Sequence, residues 1–203
     1  MQPHFVTGKL GWIEVVTGCM FSGKTEELIR RIRRAMYARQ RVVVFKPGID
    51  DRYSADSVGS HSGMHLRSLQ ITKATQILGL VQDAQVVGID EAQFLGNELV
   101  EVCESLANEG RRVIVAGLDQ DYRGQPFEPI PQLLALAEYI TKNLAICTVC
   151  GNPADRSQRL VEAGSRVLVG ATDAYEARCR LHWSAEPFPR QQALPLGENI
   201  AES

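Results

Sequence analysis

Eight consecutive residues, Gly18-Cys19-Met20-Phe21-Ser22-Gly23-Lys24-Thr25, fit the pattern G-x-x-x-x-G-K-[ST] in full. Glycines let successive backbone N–H groups converge on one anion, and a helix starting at the same place points its positive end there. In this pattern the lysine, Lys24, reaches the β- and γ-phosphates, and the Thr25 hydroxyl is a hard oxygen ligand for Mg²⁺. At ordinary residue usage a chance match in a chain this long is about one in a hundred.

A second group lies downstream. Val86-Val87-Gly88-Ile89 is apolar and ends in Asp90 and Glu91, followed by Ala92, Gln93 and Phe94. In phosphate-loop proteins an acidic residue at the end of a neighbouring strand shares the Mg²⁺, and Asp90 suits that place. Glu91, one residue on, could take a proton from an attacking hydroxyl. Spacing leaves open whether that hydroxyl belongs to a substrate or to water. The plain alternative is that both carboxylates merely end a strand.

A third group has metal-ligand spacing. Cys147-x-x-Cys150 is followed, after 28 residues, by Cys179-x-x-His182. Two such pairs can each wrap one edge of a tetrahedral ion, and Cys₃His is a common closed set for structural Zn²⁺. The intervening segment exceeds the usual ribbon spacing by about ten residues, which suggests a loop hung between the two halves. A redox Cys-x-x-Cys would leave the second pair unexplained.

Elements must hold these groups. Trp12–Thr17 reads as a strand, and a helix over 25–39 follows with a stripe of Leu28, Ile29, Ile32, Ala35 and Met36. Arg41–Lys46 is a strand apolar enough to be covered on both faces. Residues 47–63 read as a loop. A short helix near 73–81, a strand over 85–89, a helix over 97–108 ended by Gly110 and a strand over 112–116 come next. Pro131 opens a helix through PQLLALAEY. Alternating strands and helices imply an α/β fold with a mostly parallel sheet flanked by helices. After Leu144 the pattern changes, and Arg159–Val169 reads as a hairpin turning at Ala163–Gly164. The chain therefore divides into a nucleotide-binding unit (1–143), a small zinc-binding lobe (144–189) and a polar tail (190–203) expected to be disordered.

Composition sets outer bounds. Hydrophobic residues at 44% and charged residues at 23% of 203 fit a soluble globular protein. A net charge of −2 argues against nucleic-acid binding through bulk electrostatics. No apolar run approaches the ~20 residues that span a bilayer. Residues 1–9 show no signal pattern, and five cysteines with three in a metal spacing favour a reduced, cytoplasmic setting.

Taken together, GCMFSGKT, GIDEAQF and the stretch Gly170–Trp183 (GATDAYEARCRLHW) resemble the type II (cellular and bacterial) thymidine kinases, over nearly the whole chain. The resemblance implies a phosphate-loop NTPase-type fold with a C-terminal zinc lobe carrying a lasso-like loop. It implies transfer of the ATP γ-phosphate to the 5′-hydroxyl of thymidine, with deoxyuridine as a further acceptor. Glu91 is then the proton acceptor, with Lys24 and Arg52 also catalytic. Asp90, Gln93 and Thr25 lie around Mg²⁺, and residues 18–25 and 90–93, Ala92 included, face ATP. Met20, Asp50, Arg52 and Phe94 match positions lining the nucleoside site, and Leu118, Tyr122 and Phe127 match those enclosing the base. Residues 157–175 correspond to the lasso, with Ser157, Leu168, Gly170 and Tyr175 in the nucleoside site. Cys19 stands where the family usually has proline or a small residue, and Tyr122 where phenylalanine is also common. The family is commonly a homotetramer inhibited by thymidine triphosphate.

Rival readings are a hydrolase that uses Glu91 to activate water, a kinase for another nucleoside, and a zinc-ribbon module regulated by ATP. Other residues read as ordinary. Arg30, Arg31, Arg33 and Arg34 form a solvated or subunit-contact face, Cys19 is an unconstrained loop position, Cys103 is core, Trp12 is packing, and His61 and His65 carry no role.

Overall fold

In a computed structural model, residues 10–48, 57–59, 65–161 and 174–186 are described. Six strands form one sheet: β1 (Trp12–Thr17), β2 (Val42–Pro47), β5 (Leu69–Ile71), β6 (Val86–Ile89), β7 (Arg112–Gly117) and β8 (Tyr139–Lys142). Their order is β5-β2-β6-β7-β1-β8, and every neighbouring pair is parallel. Short antiparallel pairs lie outside it: β3 (Ser57–Gly59) with β4 (His65–Arg67), β9 (Ala145–Ile146) with β10 (Pro153–Ala154), and β11 (Arg156–Arg159) with β12 (Tyr175–Arg178).

The helices are α1 (Lys24–Tyr37), α2 (Gln76–Leu80), α3 (Glu98–Asn108) and α4 (Ile130–Leu136). Successive strand residues point to opposite faces, so each apolar strand must be covered twice. Ile13, Val15, Val87, Ile89, Val113 and Val115 meet Ile77 of α2, Leu99 and Cys103 of α3 and Leu133 of α4. Val16, Val44, Val86, Ile114 and Ala116 meet Leu28, Ile29, Ile32 and Ala35 of α1. One helix thus seals one face and three seal the other.

The structure corrects several expectations. Met36 is 53% exposed and does not belong to the buried stripe of α1. The helix begun at Pro131 stops at Leu136, because Ala137 is extended (φ −69°, ψ 135°) and the chain becomes β8, with Tyr139 opposite Glu14. Pairing with β1 supplies a backbone ladder that the helical pattern of LALAEY conceals. Arg31 is no part of a solvated face: it donates to Glu14 (2.8 Å), Glu27 (2.8 Å) and Thr141 (2.7 Å). Arg156–Arg159 pairs with Tyr175–Arg178, and the turn expected at Ala163–Gly164 lies outside the described residues, as does the 190–203 tail.

Glu14, in β1, anchors a buried ion network. Its carboxylate accepts from Arg31, from Arg112 (2.6 and 3.2 Å) and from the Trp12 indole (2.7 Å). Burial alone would raise its pKa. The Arg112 hydrogen bond and charge, the Trp12 donor and the Arg31 charge outweigh that and hold it below the usual 4.5. The network stitches β1, α1, β7 and, through Thr141, β8.

Candidate functional site

Parallel strands bring their carboxyl ends to one edge, where open α/β sheets bind ligands. Thr17 lies opposite Gly117 and Lys142, and Ile89 opposite Phe45 and Val115. Residues 18–25, 90–94 and 118–127 therefore leave the same edge.

The phosphate loop turns through Gly18 (φ +138°), where a Cβ would sit 2.2 Å from the Asn143 carbonyl oxygen. Only glycine fits there. Gly23, in the left-handed region, caps α1, and no side chain caps its first amides. Those open N–H groups are suited to an anion. Lys24 Nζ donates to the Cys19 carbonyl (2.8 Å), so it reaches back across its own loop. Burial lowers its pKa, against the charges of Glu91, Cys19, Asp90 and Asp119, which raise it.

Thr25 Oγ1 lies 3.3 and 3.2 Å from the two carboxylate oxygens of Asp90. Adjacent oxygens of an octahedral Mg²⁺ lie about 3 Å apart, given bonds of 2.0–2.1 Å, so this pair fits that ion. Asp90 is buried, and its pKa is raised by desolvation and by the neighbouring Glu91. A second charge so close to a buried carboxylate suits a site completed by a cation.

Glu91 differs in every respect. Its side chain is exposed and its backbone is left-handed (φ 50°, ψ 40°), a conformation rare for such a residue and concentrated at functional sites. Gln93 Oε1 accepts from the Leu118 N–H (3.0 Å), which fixes the amide so that its Nε2 donates to Glu91 (2.5 Å). Gly117 makes room: a Cβ there would lie 2.6 Å from Ile130 Cδ1 and 2.9 Å from Gln93 Oε1. Gln93 is thus engaged with Glu91 and Leu118.

Beyond Glu91 the walls are aromatic. Phe94 and Phe127 meet edge to face at 6.1 Å. Tyr122, Ala174 and Tyr175 cluster with Met20, and the Met20 N–H donates to Ser157 Oγ (3.0 Å). Of the residues expected in a nucleoside site, Met20, Tyr122, Ser157 and Tyr175 come together here, while Leu118 and Phe127 belong to the strand-end segment that carries Tyr122. Asp50, Arg52, Leu168 and Gly170 lie outside the described residues. Arg159 was missed. It is 1% exposed, with its guanidinium 4.6 Å from the Tyr122 ring centre and 5.9 Å from that of Tyr175. An arginine in the middle of RSQRL gives no sequence signal of such burial.

The ligand atoms of Cys147, Cys150, Cys179 and His182 all lie within 4.8 Å of one another. Cys150 and Cys179 sulfurs are 3.7 Å apart, and His182 Nδ1 lies 3.3 Å from Cys179 Sγ and 3.8 Å from Cys147 Sγ. With Zn–S near 2.3 Å a tetrahedral edge is about 3.8 Å, so the set fits Zn²⁺. Burial would raise the Cys147 thiol, yet backbone N–H groups around it, Cys179's first, hold its pKa low, while burial and the neighbouring Cys150 and Cys147 raise that of Cys179. Cys19 is no loose loop position. It is 2% exposed, donates to the Ala154 carbonyl (3.3 Å) and packs with Ala145, Cys147, Ala177 and Cys179. Cys103 is core as expected, its thiol pushed up to about 12 by burial.

A loop for phosphate and an acidic strand end on one parallel sheet make this a phosphate-loop nucleotide-binding protein, here with a Cys₃His cluster packed beside the loop. Known proteins narrow that class. A family profile described as thymidine kinase matches residues 11–183. A protein named "Thymidine kinase" from Rhodothermus sp. (strain ITI 518) is 62% identical over 182 residues, covering 89% of this chain and 85% of that protein. The chain belongs to the thymidine kinase family. Among the described residues no helix is long and apolar enough to cross a membrane.

Proposed function

We propose that the chain transfers the γ-phosphate of ATP to the 5′-hydroxyl of thymidine, and of deoxyuridine by the same chemistry. Family membership supports the reaction, and one observation carries the mechanism: the Glu91 carboxylate is exposed and oriented by Gln93. The loop amides and Lys24 bind the phosphates. Mg²⁺ held by Thr25 and Asp90 would neutralise charge on the β- and γ-phosphates. Glu91 takes the 5′-hydroxyl proton as that oxygen bonds to the γ-phosphorus, and the bond to the ADP oxygen breaks. Phe94, Phe127, Tyr122 and Tyr175 enclose the nucleoside and exclude water, which favours transfer over hydrolysis. Arg52, Asp50, Leu168 and Gly170 complete the site on the strength of the resemblance.

On this reading residues 1–143 form the nucleotide-binding unit and 144–189 a lobe whose Zn²⁺ is structural, because four protein ligands leave no position open. Thymidine triphosphate combines the base of one substrate with the phosphates of the other, which suits it as a feedback inhibitor. Ile140, Leu144 and Ile146 are 53%, 52% and 67% exposed on and just beyond the open β8 edge, and this apolar surface supports a homo-oligomer, read as a tetramer. The cytoplasm suits the free thiols. Purified protein with Mg²⁺ and ATP should form thymidine monophosphate from thymidine, with little ATP consumed when deoxycytidine replaces it or no nucleoside is present. ATP consumption independent of any nucleoside would make the protein a hydrolase.

A further inference from the structure

The segment 119–127 carries Tyr122, and its own hydrogen bonds make it a unit. Asp121 Oδ1 accepts from the Arg123 and Gln125 amides (both 2.9 Å), and the Phe127 amide donates to the Asp119 carbonyl (3.0 Å). A unit so braced moves as one piece, so whatever grips it sets where the Tyr122 ring stands. The grip comes from the metal lobe. Trp183 directly follows His182, and its indole N–H donates to the Tyr122 carbonyl (3.2 Å). Gly124 (φ +71°) faces the same ring, where an added Cβ would lie 2.9 Å from Trp183 Cη2. The Arg156 guanidinium lies 5.2 Å from the indole centre, close to Gly124 as well, while also donating to Gln120 of the same segment.

We propose that Trp183 is a positioning residue for the nucleoside site, tying the Cys147–His182 clamp to the backbone of Tyr122, so that the ordered metal lobe sets nucleoside affinity. The inference rests on Tyr122 being a wall of that site. The phosphate loop meets the lobe elsewhere, through Cys19 to Ala154 and Met20 to Ser157. Loss of the indole contact therefore acts on the nucleoside and spares ATP.

The test is Trp183→Phe, which keeps a ring and removes the donor. Zinc content, thymidine affinity by calorimetry and steady-state kinetics are measured on the full chain. Zinc should be retained, thymidine Kd and KM should rise about fivefold, as for one lost hydrogen bond, and kcat and the KM for ATP should not move. Gly124→Ala should act in the same direction, and the double variant should show less than the product of the two effects, because both disturb one contact. Unchanged thymidine affinity at full zinc overturns the proposal. So does an equal weakening for both substrates, which marks Trp183 as general packing. Tyr122→Ala, measured alongside, separates the two assignments. If it too leaves thymidine affinity unchanged, the wall is misassigned; if it alone weakens binding, only the role of Trp183 fails.

Discussion

Two clusters of charge lie on the one parallel sheet and could hardly differ more. Around Glu14, one carboxylate faces two guanidinium groups and an indole, every oxygen is used, and its pKa falls below 4.5. At the carboxyl edge, Asp90 and Glu91 stand side by side, the pKa of Asp90 is raised, and Lys24 donates to a carbonyl of its own loop. The first cluster is complete and holds the sheet to α1. The second holds like charges together, an arrangement that a bound cation would relieve. Buried charge alone therefore does not mark a site; buried charge whose partners are incomplete does.

The comparison can be broken or sharpened by substitution. Glu14→Ala takes the carboxylate partner from Arg112, leaves Arg31 only Glu27 and Thr141, and should cost about 3–5 kcal/mol of stability, the range for removing one partner of a buried pair. Equilibrium urea unfolding measures it, and a change below 1 kcal/mol would mean the network is solvated and weak. Lys24→Ala should leave the fold intact and lower kcat/KM for ATP by about 10³-fold, the scale of losing one preorganised charge on a transferring phosphate. Near-normal kinetics would remove the loop from the mechanism. Gln93→Leu frees Glu91 from its orienting amide and should lower kcat by about 10–100-fold, as one hydrogen bond to a charged group is worth about 1.5–3 kcal/mol. An unchanged kcat would show that Glu91 needs no such support.

Acid should separate the clusters more gently. A carboxylate whose pKa is depressed by folding contributes stability above its unfolded value, near 4.5 here, and that contribution is lost as pH falls toward the folded value. Stability of the natural chain should therefore fall as pH drops below 4.5, and Glu14→Gln should flatten that part of the profile. An identical slope in the variant would place the acid-sensitive group elsewhere.

That Thr25 meets Asp90 and that Cys147, Cys150, Cys179 and His182 converge was legible because the chemistry those patterns suit demands particular residue types at fixed short spacing. The central strands were legible because burial on both faces leaves them almost wholly apolar. What escaped depends on partners far along the chain. β8 exists because Tyr139 meets Glu14 across the sheet and Ile13 donates to Glu138 (2.7 Å), while its local pattern continues a helix. Cys19 reads as filler until Ala154 and Cys147 close over it. Arg31 reads as a surface cation because single-residue hydropathy says nothing of a carboxylate waiting in the fold, and nothing local marks Arg159 for burial against two tyrosine rings.

The central claim is that one cluster holds the fold while the other does the chemistry, and a crossed measurement on two isosteric variants tests it most directly. Thermal midpoint and kcat with thymidine should be determined for Glu14→Gln and Glu91→Gln in the same buffer. Glu91→Gln should unfold at the natural temperature with kcat lowered by about 10²–10⁴-fold, the usual share of general-base catalysis. Glu14→Gln should unfold at a lower temperature with kcat nearly unchanged. A Glu91→Gln protein that turns over normally would contradict the account, whatever its stability.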